Sequence, residues 1–157
     1  MTATLFTPEI IAAAQASERA FRPIGPYVSV TLAQWAIESA YGRALSGVNN
    51  CFGIKATEAE IASGNATLKW THETLNGVYR PLPQYFANFA SIDACVMAHA
   101  KLLATSPYYV KAQHATSPDE YADALTGVYA TGIPGHPYGE TLIGIMRGDN
   151  LYQYDLV

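Results

Sequence analysis

A helical apolar pattern leads directly into a loop rich in asparagine and glycine over residues 30–55, VTLAQWAIESAYGRALSGVNNCFGIK. Its first half has apolar residues three and four positions apart, which predicts a helix with one face packed on a core. These residues are Val30, Ala33, Ile37, Ala40 and Tyr41. We expect Gly42 to end or loosen the helix. Asn49 and Asn50 then tolerate left-handed backbone, and Gly53 would let the chain pass close to a wall or ligand where a Cβ would clash.

Glu38 stands at the border of this apolar face, because successive residues are rotated by about 100° around a helix axis. A carboxyl at such a border is partly desolvated, which disfavours its charged form and raises its pKa. A general acid needs a raised pKa to hold a proton near neutral pH. The alternative is a solvated carboxylate, the usual state of Glu on a helix.

Length and composition limit the class of protein. The chain has 157 residues, of which 50% are hydrophobic and 14% charged, so we expect one domain over residues 1–157. The net charge of −4, with no cluster of Lys and Arg, argues against nucleic-acid binding. No apolar run approaches the roughly 20 residues that span a bilayer, so we expect no membrane insertion.

The first residues, MTATLFTPEII, lack the basic region and cleavage site of a secretory signal. Either the chain is not exported by that route, or the signal lies outside this sequence.

Most of the remaining chain carries helical signals, which predicts a mainly α domain of the α+β class. Thr7-Pro8-Glu9 combines an N-cap, a proline and an acid at a helix start, and that helix should reach about Phe21. Further helices are predicted after Ser91 and, from a capping box, after Ser117.

Residues 65–87 break the helical pattern. Side chains alternate with a period of two on both sides of the tight-turn pair Asn76-Gly77, which predicts a β-hairpin lobe. Pro81 and Pro83 cannot donate to a ladder, so the return strand should be an edge or irregular at these positions.

The histidines and cysteines form no recognisable ligand set. None of the four His residues stands at a metal-ligand spacing, so we predict no metal and no cofactor. We interpret His99 as a hydrogen-bonded core histidine. Cys51 and Cys95 allow one disulfide without demanding it, and we favour two buried free thiols.

Two blocks of the opening segment resemble the signature of glycoside hydrolase family 73, the flagellar-type and autolysin β-N-acetylglucosaminidases that cut bacterial peptidoglycan. The family pattern reads Q-x-x-x-E-S-x-x-G and then, after a short loop, N-x-F-G-I-K. The matching residues are Gln34, Glu38, Ser39, Gly42, Asn50, Phe52, Gly53, Ile54 and Lys55. The resemblance implies a lysozyme-like helical domain, with the hairpin lobe beside the substrate groove and Glu38 as its catalytic acid.

The resemblance also implies a second carboxylate on the hairpin. The family carries T-x-E followed by a glycine there, matched by Thr71, Glu73 and Gly77. Members use that acid as a second catalytic or substrate-positioning carboxylate, as glycosidases commonly do. An ordinary exposed strand residue is the alternative for Glu73.

The closing block resembles the family pattern G-Y-A-T-D-P-x-Y. The matching residues are Tyr129, Ala130, Thr131 and Tyr138. Members use the first tyrosine to contact the sugar beside the glutamate, which makes Tyr129 a third implied catalytic residue; the alternative is an aromatic that packs a loop. Gly132 stands where the family has Asp, and the link GIPGH is longer than usual, so the loop departs from the family here.

The implied reaction is hydrolysis of the β-1,4 bond between N-acetylglucosamine and N-acetylmuramic acid in peptidoglycan glycan strands. Candidate substrate contacts are Gln34, Tyr41, Asn50, Phe52, Gly53, Trp70 and Tyr138. Trp35 could also stack on sugar C–H groups, with the core as its alternative. Charge on the sugar ring could be stabilised by Glu73 and Tyr129, or the N-acetyl oxygen of the substrate could attack C1; the sequence leaves both routes open.

Two other functions remain as alternatives. A lytic transglycosylase also uses one helix-borne Glu, and a non-catalytic wall-binding module could retain the groove. We expect a monomer that acts on the cell wall, in the periplasm or outside the cell. In the absence of an export signal, we expect release by phage lysis, as an endolysin, or delivery by a secretion or flagellar apparatus.

Overall fold

The computed structural model describes residues 5–75 and 77–156, with the side chains of residues 73–75 outside that description. The longer helices are α1 (Pro8–Phe21), α2 (Val28–Ser39), α4 (Ile92–Thr105) and α7 (Tyr138–Gly148). Shorter ones are α3 (Glu58–Ala62), α5 (Val110–Gln113) and α6 (Pro118–Asp123), with 3₁₀ turns at Pro107–Tyr109 and Leu151–Tyr154. The strands are β1 (Ala66–Leu75), β2 (Val78–Ala87), β3 (Gly132–Ile133) and β4 (His136–Pro137). This is the mainly α arrangement with a β-hairpin lobe that the sequence predicts, and the short β3–β4 ladder is an addition that the sequence did not predict.

Helix α1 begins and ends where the sequence signals place it. The Thr7 hydroxyl accepts a hydrogen bond from the Ile10 N–H at 3.3 Å, and Pro8 occupies the first turn. Such a cap satisfies one of the N–H groups that a helix start leaves without a partner.

Helix α2 ends three residues earlier than predicted, at Ser39 instead of Gly42. Ala40 and Tyr41 adopt left-handed backbone, with φ of 49° and 59°. The Ser39 hydroxyl donates to the Trp35 carbonyl at 2.6 Å and accepts from the Gly42 N–H at 2.8 Å. The side chain of Ser39 therefore closes the turn, which the apolar spacing could not reveal.

The predicted apolar face of α2 is also wrong in part. Ten of its residues are buried, on every side of the helix, because α1, α6, α7 and the last 3₁₀ turn all pack against it. Ile37, assigned to the core face, is instead 36% exposed, and Ala40 is exposed as well. The helix crosses the centre of the molecule, and only its last turn reaches solvent.

Two carboxylates hold the start of α2. Glu18 accepts hydrogen bonds from the N–H groups of Val28 and Leu156, each at 3.0 Å. Asp155 accepts from the N–H of Ser29 at 2.7 Å and from its hydroxyl at 2.9 Å. Negative groups at a helix N-terminus satisfy its free N–H groups and oppose the positive end of its dipole. Segments from both ends of the chain thereby fix the central helix.

The hairpin lobe spans the predicted residues. Its register runs from Ala66 opposite Ala87 to Leu75 opposite Val78, and β2 continues through both prolines as an edge strand. At its base, the Ala56 N–H donates to the Tyr85 carbonyl and the Ala87 N–H to the Ile54 carbonyl, both at 2.9 Å. The lobe is thereby joined to the loop that carries the N-x-F-G-I-K block.

The cysteines are two buried free thiols, as predicted, with their Sγ atoms 3.7 Å apart. Over the described residues, no helix is long and apolar enough to cross a membrane.

Candidate active site

A cleft of about 460 Å³ opens beside the end of α2. It is lined by Glu38, Phe52, Gly53, Ile54, Lys55, Leu102, Tyr109, Tyr129 and Ala130. These residues come from separate parts of the sequence, and Glu38 is the acidic member of the set.

Glu38 lies on the last turn of α2 and is partly buried. Burial raises the pKa of its carboxyl, and the hydrogen bond from Tyr138 opposes that rise without cancelling it. The Tyr138 hydroxyl donates to Glu38 Oε1 at 3.1 Å. The partly desolvated carboxyl that the sequence predicts is therefore present, and it can hold a proton at a higher pH than a solvated glutamate.

The Tyr138 hydroxyl is itself held from behind. Gln34 donates from Nε2 to the Tyr138 oxygen at 3.1 Å, and its Oε1 lies 2.9 Å from Nε2 of His99. Both Gln34 and His99 are fully buried. Gln34 lies behind Tyr138 and has no exposed surface in the cleft, so its predicted contact with the substrate gains no support here. His99 is the hydrogen-bonded core histidine that the sequence predicts.

Tyr129 lies in the cleft with Glu38. Its ring stacks on that of Tyr138, with centroids 5.7 Å apart and planes 9° apart. Its hydroxyl donates to the Phe52 carbonyl at 3.1 Å, and burial raises its pKa well above the usual value. The hydroxyl of Tyr129 therefore stays protonated and turns toward the loop at Phe52, while Tyr138 makes the contact with Glu38.

Comparison with known proteins decides the family. A family model described as mannosyl-glycoprotein endo-β-N-acetylglucosaminidase matches residues 14–151. This chain belongs to the glucosaminidase family. The prediction of a family 73 glycoside hydrolase is thereby confirmed. No curated protein sequence matches the chain.

Solved structures agree with this family. The catalytic domain of the autolysin Auto from Listeria monocytogenes is 27% identical, with a TM-score of 0.81 over 99% of this chain and 90% of that one. A peptidoglycan hydrolase mutant from Sphingomonas sp. A1 is 25% identical, with a TM-score of 0.73 over 94% and 97% of the two chains. The C-terminally truncated glycoside hydrolase domain of Salmonella typhimurium FlgJ, at 24% identity and a TM-score of 0.63 over 90% and 96%, shows the fold alone.

The loop of this glucosaminidase that contains the N-x-F-G-I-K block has a buried anchor. The Asn50 amide donates to the carbonyls of Ile54 and Ala87 at 2.8 and 2.9 Å, and its oxygen accepts from the Ile54 N–H at 3.1 Å. Asn50 is fully buried and its side chain shapes the loop, so its predicted substrate contact gains no support here. It is Asn49, with φ of 55°, that takes the left-handed backbone.

Phe52 and Gly53 do line the cleft, as expected. The Phe52 ring stacks on His99, with centroids 3.9 Å apart, which joins the loop to the buried hydrogen bonds behind Glu38. Gly53 has φ of +69°, and a Cβ at this position would have the Ser46 hydroxyl oxygen as its nearest neighbour, at 3.7 Å. Backbone conformation, and not a close wall, therefore explains the glycine.

Tyr41 and Trp35 belong to a different part of the glucosaminidase. They pack with Phe6, with ring centroids 5.6 to 6.1 Å apart, and line a pocket that does not include Glu38. Tyr41 follows the left-handed turn at Ala40 and does not line the cleft with Glu38, so its predicted substrate contact stays a prediction. Trp35 is a core residue, only 5% exposed.

The two remaining predicted site residues lie on β1 of the hairpin. Trp70 is 67% exposed, opposite Pro83, and does not line the cleft. Glu73 pairs with Arg80 through its backbone position, but its side chain lies outside the described residues.

Gly132 departs from the family pattern for a local reason. It has φ of +87°, and a Cβ there would clash with the His136 carbonyl oxygen. The short β3–β4 ladder, with Gly132 opposite Pro137, creates this close approach. A side chain such as Asp therefore does not fit in this longer loop.

Five residues of the cleft were not among the predicted site residues: Ile54, Lys55, Leu102, Tyr109 and Ala130. Leu102 and Tyr109 carry no motif, and only their approach across α4 and the following 3₁₀ turn places them there. Lys55 matches the family pattern but had no assigned role, and it brings a positive charge to the rim. Among the described residues, no three His, Cys, Asp or Glu side chains are grouped closely enough to hold a metal ion.

Proposed function

We propose that this glucosaminidase cleaves the β-1,4 bond between N-acetylglucosamine and N-acetylmuramic acid, with Glu38 as the general acid. Peptidoglycan as the substrate is supported by the family and by solved relatives described as an autolysin and as a peptidoglycan hydrolase. The observation that carries the role of Glu38 is its half-buried carboxyl in the cleft, bonded at one oxygen to Tyr138.

The proton of Glu38 passes to the glycosidic oxygen while the bond from that oxygen to C1 of N-acetylglucosamine breaks. The muramic acid leaves with a 4-hydroxyl, and Glu38 becomes a carboxylate. The hydrogen bond from Tyr138 to Oε1 stabilises this carboxylate as it forms. Water then adds to C1, its released proton restores the acid, and N-acetylglucosamine stands at the new reducing end.

Positive charge grows on the sugar ring as the bond breaks, and Tyr129 is suited to face it. Its hydroxyl proton is engaged by the Phe52 carbonyl, so its oxygen can turn a lone pair toward the ring. We propose Glu73 as the second carboxylate, either activating water or stabilising this charge. In the substrate-assisted route the N-acetyl oxygen of the substrate attacks C1, and Glu73 is needed less. A Glu73→Gln variant should therefore lose much of its kcat if Glu73 acts directly, and little of it if the route is substrate-assisted.

The central test is a Glu38→Gln variant assayed on purified peptidoglycan, with Glu9→Gln on the exposed start of α1 as the matched control. We expect both variants to fold and only Glu38→Gln to lose digestion, by about 10²-fold or more. Undiminished digestion by Glu38→Gln would remove Glu38 from the mechanism.

Mass spectrometry of the released fragments decides between the enzyme classes. A glucosaminidase leaves a reducing N-acetylglucosamine end, a lytic transglycosylase leaves anhydro-muramic acid, and a binding module releases nothing.

For the biological setting, we propose action at the cell wall after phage lysis or delivery by a secretion or flagellar apparatus. Its support is the wall-acting family alone, and fractionation of the native host cells tests it.

A further inference from the structure

A buried row of hydrogen bonds runs from His99 through Gln34 and Tyr138 to Glu38. The successive distances are 2.9, 3.1 and 3.1 Å. Polar side chains in a dry interior are costly unless each finds its partner, so a row of this kind has one favoured set of donors and acceptors.

The direction of the row begins at His99. Burial lowers the pKa of its imidazole to about 3, so the ring is neutral and carries one proton. Nδ1 has no hydrogen-bond partner within the part of the chain that the structure describes. A proton on Nδ1 would therefore be a buried donor without an acceptor, whereas a proton on Nε2 can be donated to Gln34 Oε1. The proton belongs on Nε2.

The hydrogen bond from His99 fixes the orientation of the Gln34 amide. With its oxygen engaged by His99, its Nε2 is turned to the Tyr138 oxygen and donates to it. The phenolic oxygen of Tyr138 thus accepts from Gln34, and the Tyr138 hydroxyl donates its own proton to Glu38 Oε1. Each donor in the row therefore points toward Glu38.

We propose that His99 and Gln34 are positioning residues that confine the acidic proton of Glu38 to Oε2, the oxygen that Tyr138 leaves free. Oε1 accepts the Tyr138 hydroxyl proton, and a second proton cannot lie between the same two oxygens. The proposal rests on the proposed role of Glu38 as general acid. It goes further by assigning the reactive oxygen and the two residues that select it.

Other groups near Glu38 must be considered in any pH effect. The titratable side chains that line the cleft with Glu38 or contact it are Lys55, Tyr109, Tyr129 and Tyr138. The side chain of Glu73 lies outside the described residues. These groups also titrate or carry charge near Glu38, so the pH dependence of kcat/KM is compared only between variants that change the buried row and keep these cleft residues.

Gln34→Met is the principal variant, because methionine has a similar size and makes neither hydrogen bond. Without the donation from Gln34, the Tyr138 hydroxyl is a weaker donor to Glu38 Oε1, which favours the protonated acid and holds its proton less strictly on Oε2. We expect kcat to fall about tenfold. We also expect the basic limb of the kcat/KM profile to move up by roughly one pH unit.

His99→Phe is the second variant and decides the question if Gln34→Met does not fold. The phenyl ring can keep the stack on Phe52 but cannot donate to Gln34, so the Gln34 amide is free to turn over. We expect a shift of the basic limb in the same direction. The double variant should shift no further than Gln34→Met alone, because both substitutions break one row.

Thr31→Val is the matched control. Thr31 is a fully buried residue of α2, and its hydroxyl has no partner among the described residues, so its removal leaves the row intact. We expect an unchanged pH profile.

A direct readout is the ¹³C NMR titration of the Glu38 carboxyl, which needs no turnover and should follow the same upward shift. A folded Gln34→Met or His99→Phe protein with an unchanged Glu38 titration and an unchanged basic limb overturns the proposal. This outcome is distinct from failure of the proposed function, which is an active Glu38→Gln enzyme.

Discussion

The Tyr138 hydroxyl lies 3.1 Å from Glu38 Oε1 and joins the first turn of α7 to the last turn of α2. This hydrogen bond lowers the pKa of Glu38, while burial raises it by more. Tyr138 therefore limits how far the acid is shifted and, in the proposed mechanism, stabilises the carboxylate left after proton transfer.

Replacing Tyr138 with Phe should raise the pKa of Glu38 further, since it removes the group that opposes burial. The basic limb of the kcat/KM profile should move to higher pH, and kcat should fall by about tenfold or more. The comparison is Tyr129→Phe, whose lost hydroxyl bonds to Phe52 and not to Glu38. Tyr129→Phe should lower kcat without moving the basic limb of the kcat/KM profile. A shift of that limb in Tyr129→Phe but not in Tyr138→Phe would show that Tyr129, and not Tyr138, tunes the pKa of Glu38.

Asp155 should make the stability of the protein depend on pH. Burial raises its pKa to about 6, although the hydrogen bonds from Ser29 oppose the shift. A carboxyl with a raised pKa in the folded state favours folding when protonated, and that contribution is lost as the pH rises through about 6.

An Asp155→Asn variant keeps an oxygen for the Ser29 N–H and carries no charge. Its melting temperature should exceed that of the parent at pH 8, and the difference should shrink toward pH 4. A loss of stability at pH 8 would show that the charge at the start of α2 contributes more than its burial costs.

The two thiols should be unreactive until the protein unfolds. Cys51 and Cys95 are buried, and their hydrogen bond together with burial raises the pKa of the Cys51 thiol. The same hydrogen bond lowers the pKa of the Cys95 thiol, so Cys95 is protected by burial alone. Iodoacetamide at pH 8 should label neither residue in the folded protein and both in guanidinium without reductant. Failure to label the unfolded chain would indicate a disulfide, in contradiction to the 3.7 Å separation.

Gly132→Asp restores the family residue and should destabilise this protein, because the position has φ of +87° and the new Cβ meets the His136 carbonyl. We expect a loss of about 1–3 kcal/mol in the free energy of unfolding. Gly144→Ala is the control, since this exposed position inside α7 has open space around a Cβ and should gain up to about 1 kcal/mol. Chemical denaturation of both variants checks the difference, and equal stabilities would contradict the strain at Gly132.

Signals from neighbouring residues predict where the helices and strands lie. Which neighbour a side chain contacts depends on how those helices and strands pack. The cap at Thr7 and the alternation over residues 65–87 depend on neighbouring residues alone, and both elements appear where the sequence places them. Gln34 and Tyr41 are different, because a helix buried on all sides offers no empty face from which direction could be inferred. The turn that diverts Tyr41 is closed by the Ser39 hydroxyl, a contact without an apolar signature.

In the candidate site, too, some features were predicted from the sequence and others depend on packing. Motif matching brings Glu38, Phe52, Gly53 and Tyr129 into one cleft. It does not reveal that Tyr138 bonds Glu38 or that Gln34 lies behind it, since these contacts span about 100 residues of sequence. Pairings over such distances are set by how α2 and α7 pack, and a single sequence carries no direct record of that packing.

The carboxylates of Glu18 and Asp155 at the start of α2 have a consequence for synthesis of the protein. Until Asp155 and Leu156 have emerged from the ribosome, Ser29 at the start of the helix that bears Glu38 lacks its carboxylate partner, and Glu18 lacks the N–H of Leu156. The cleft should therefore assemble late, and a nascent chain would not yet be able to attack the wall polymer.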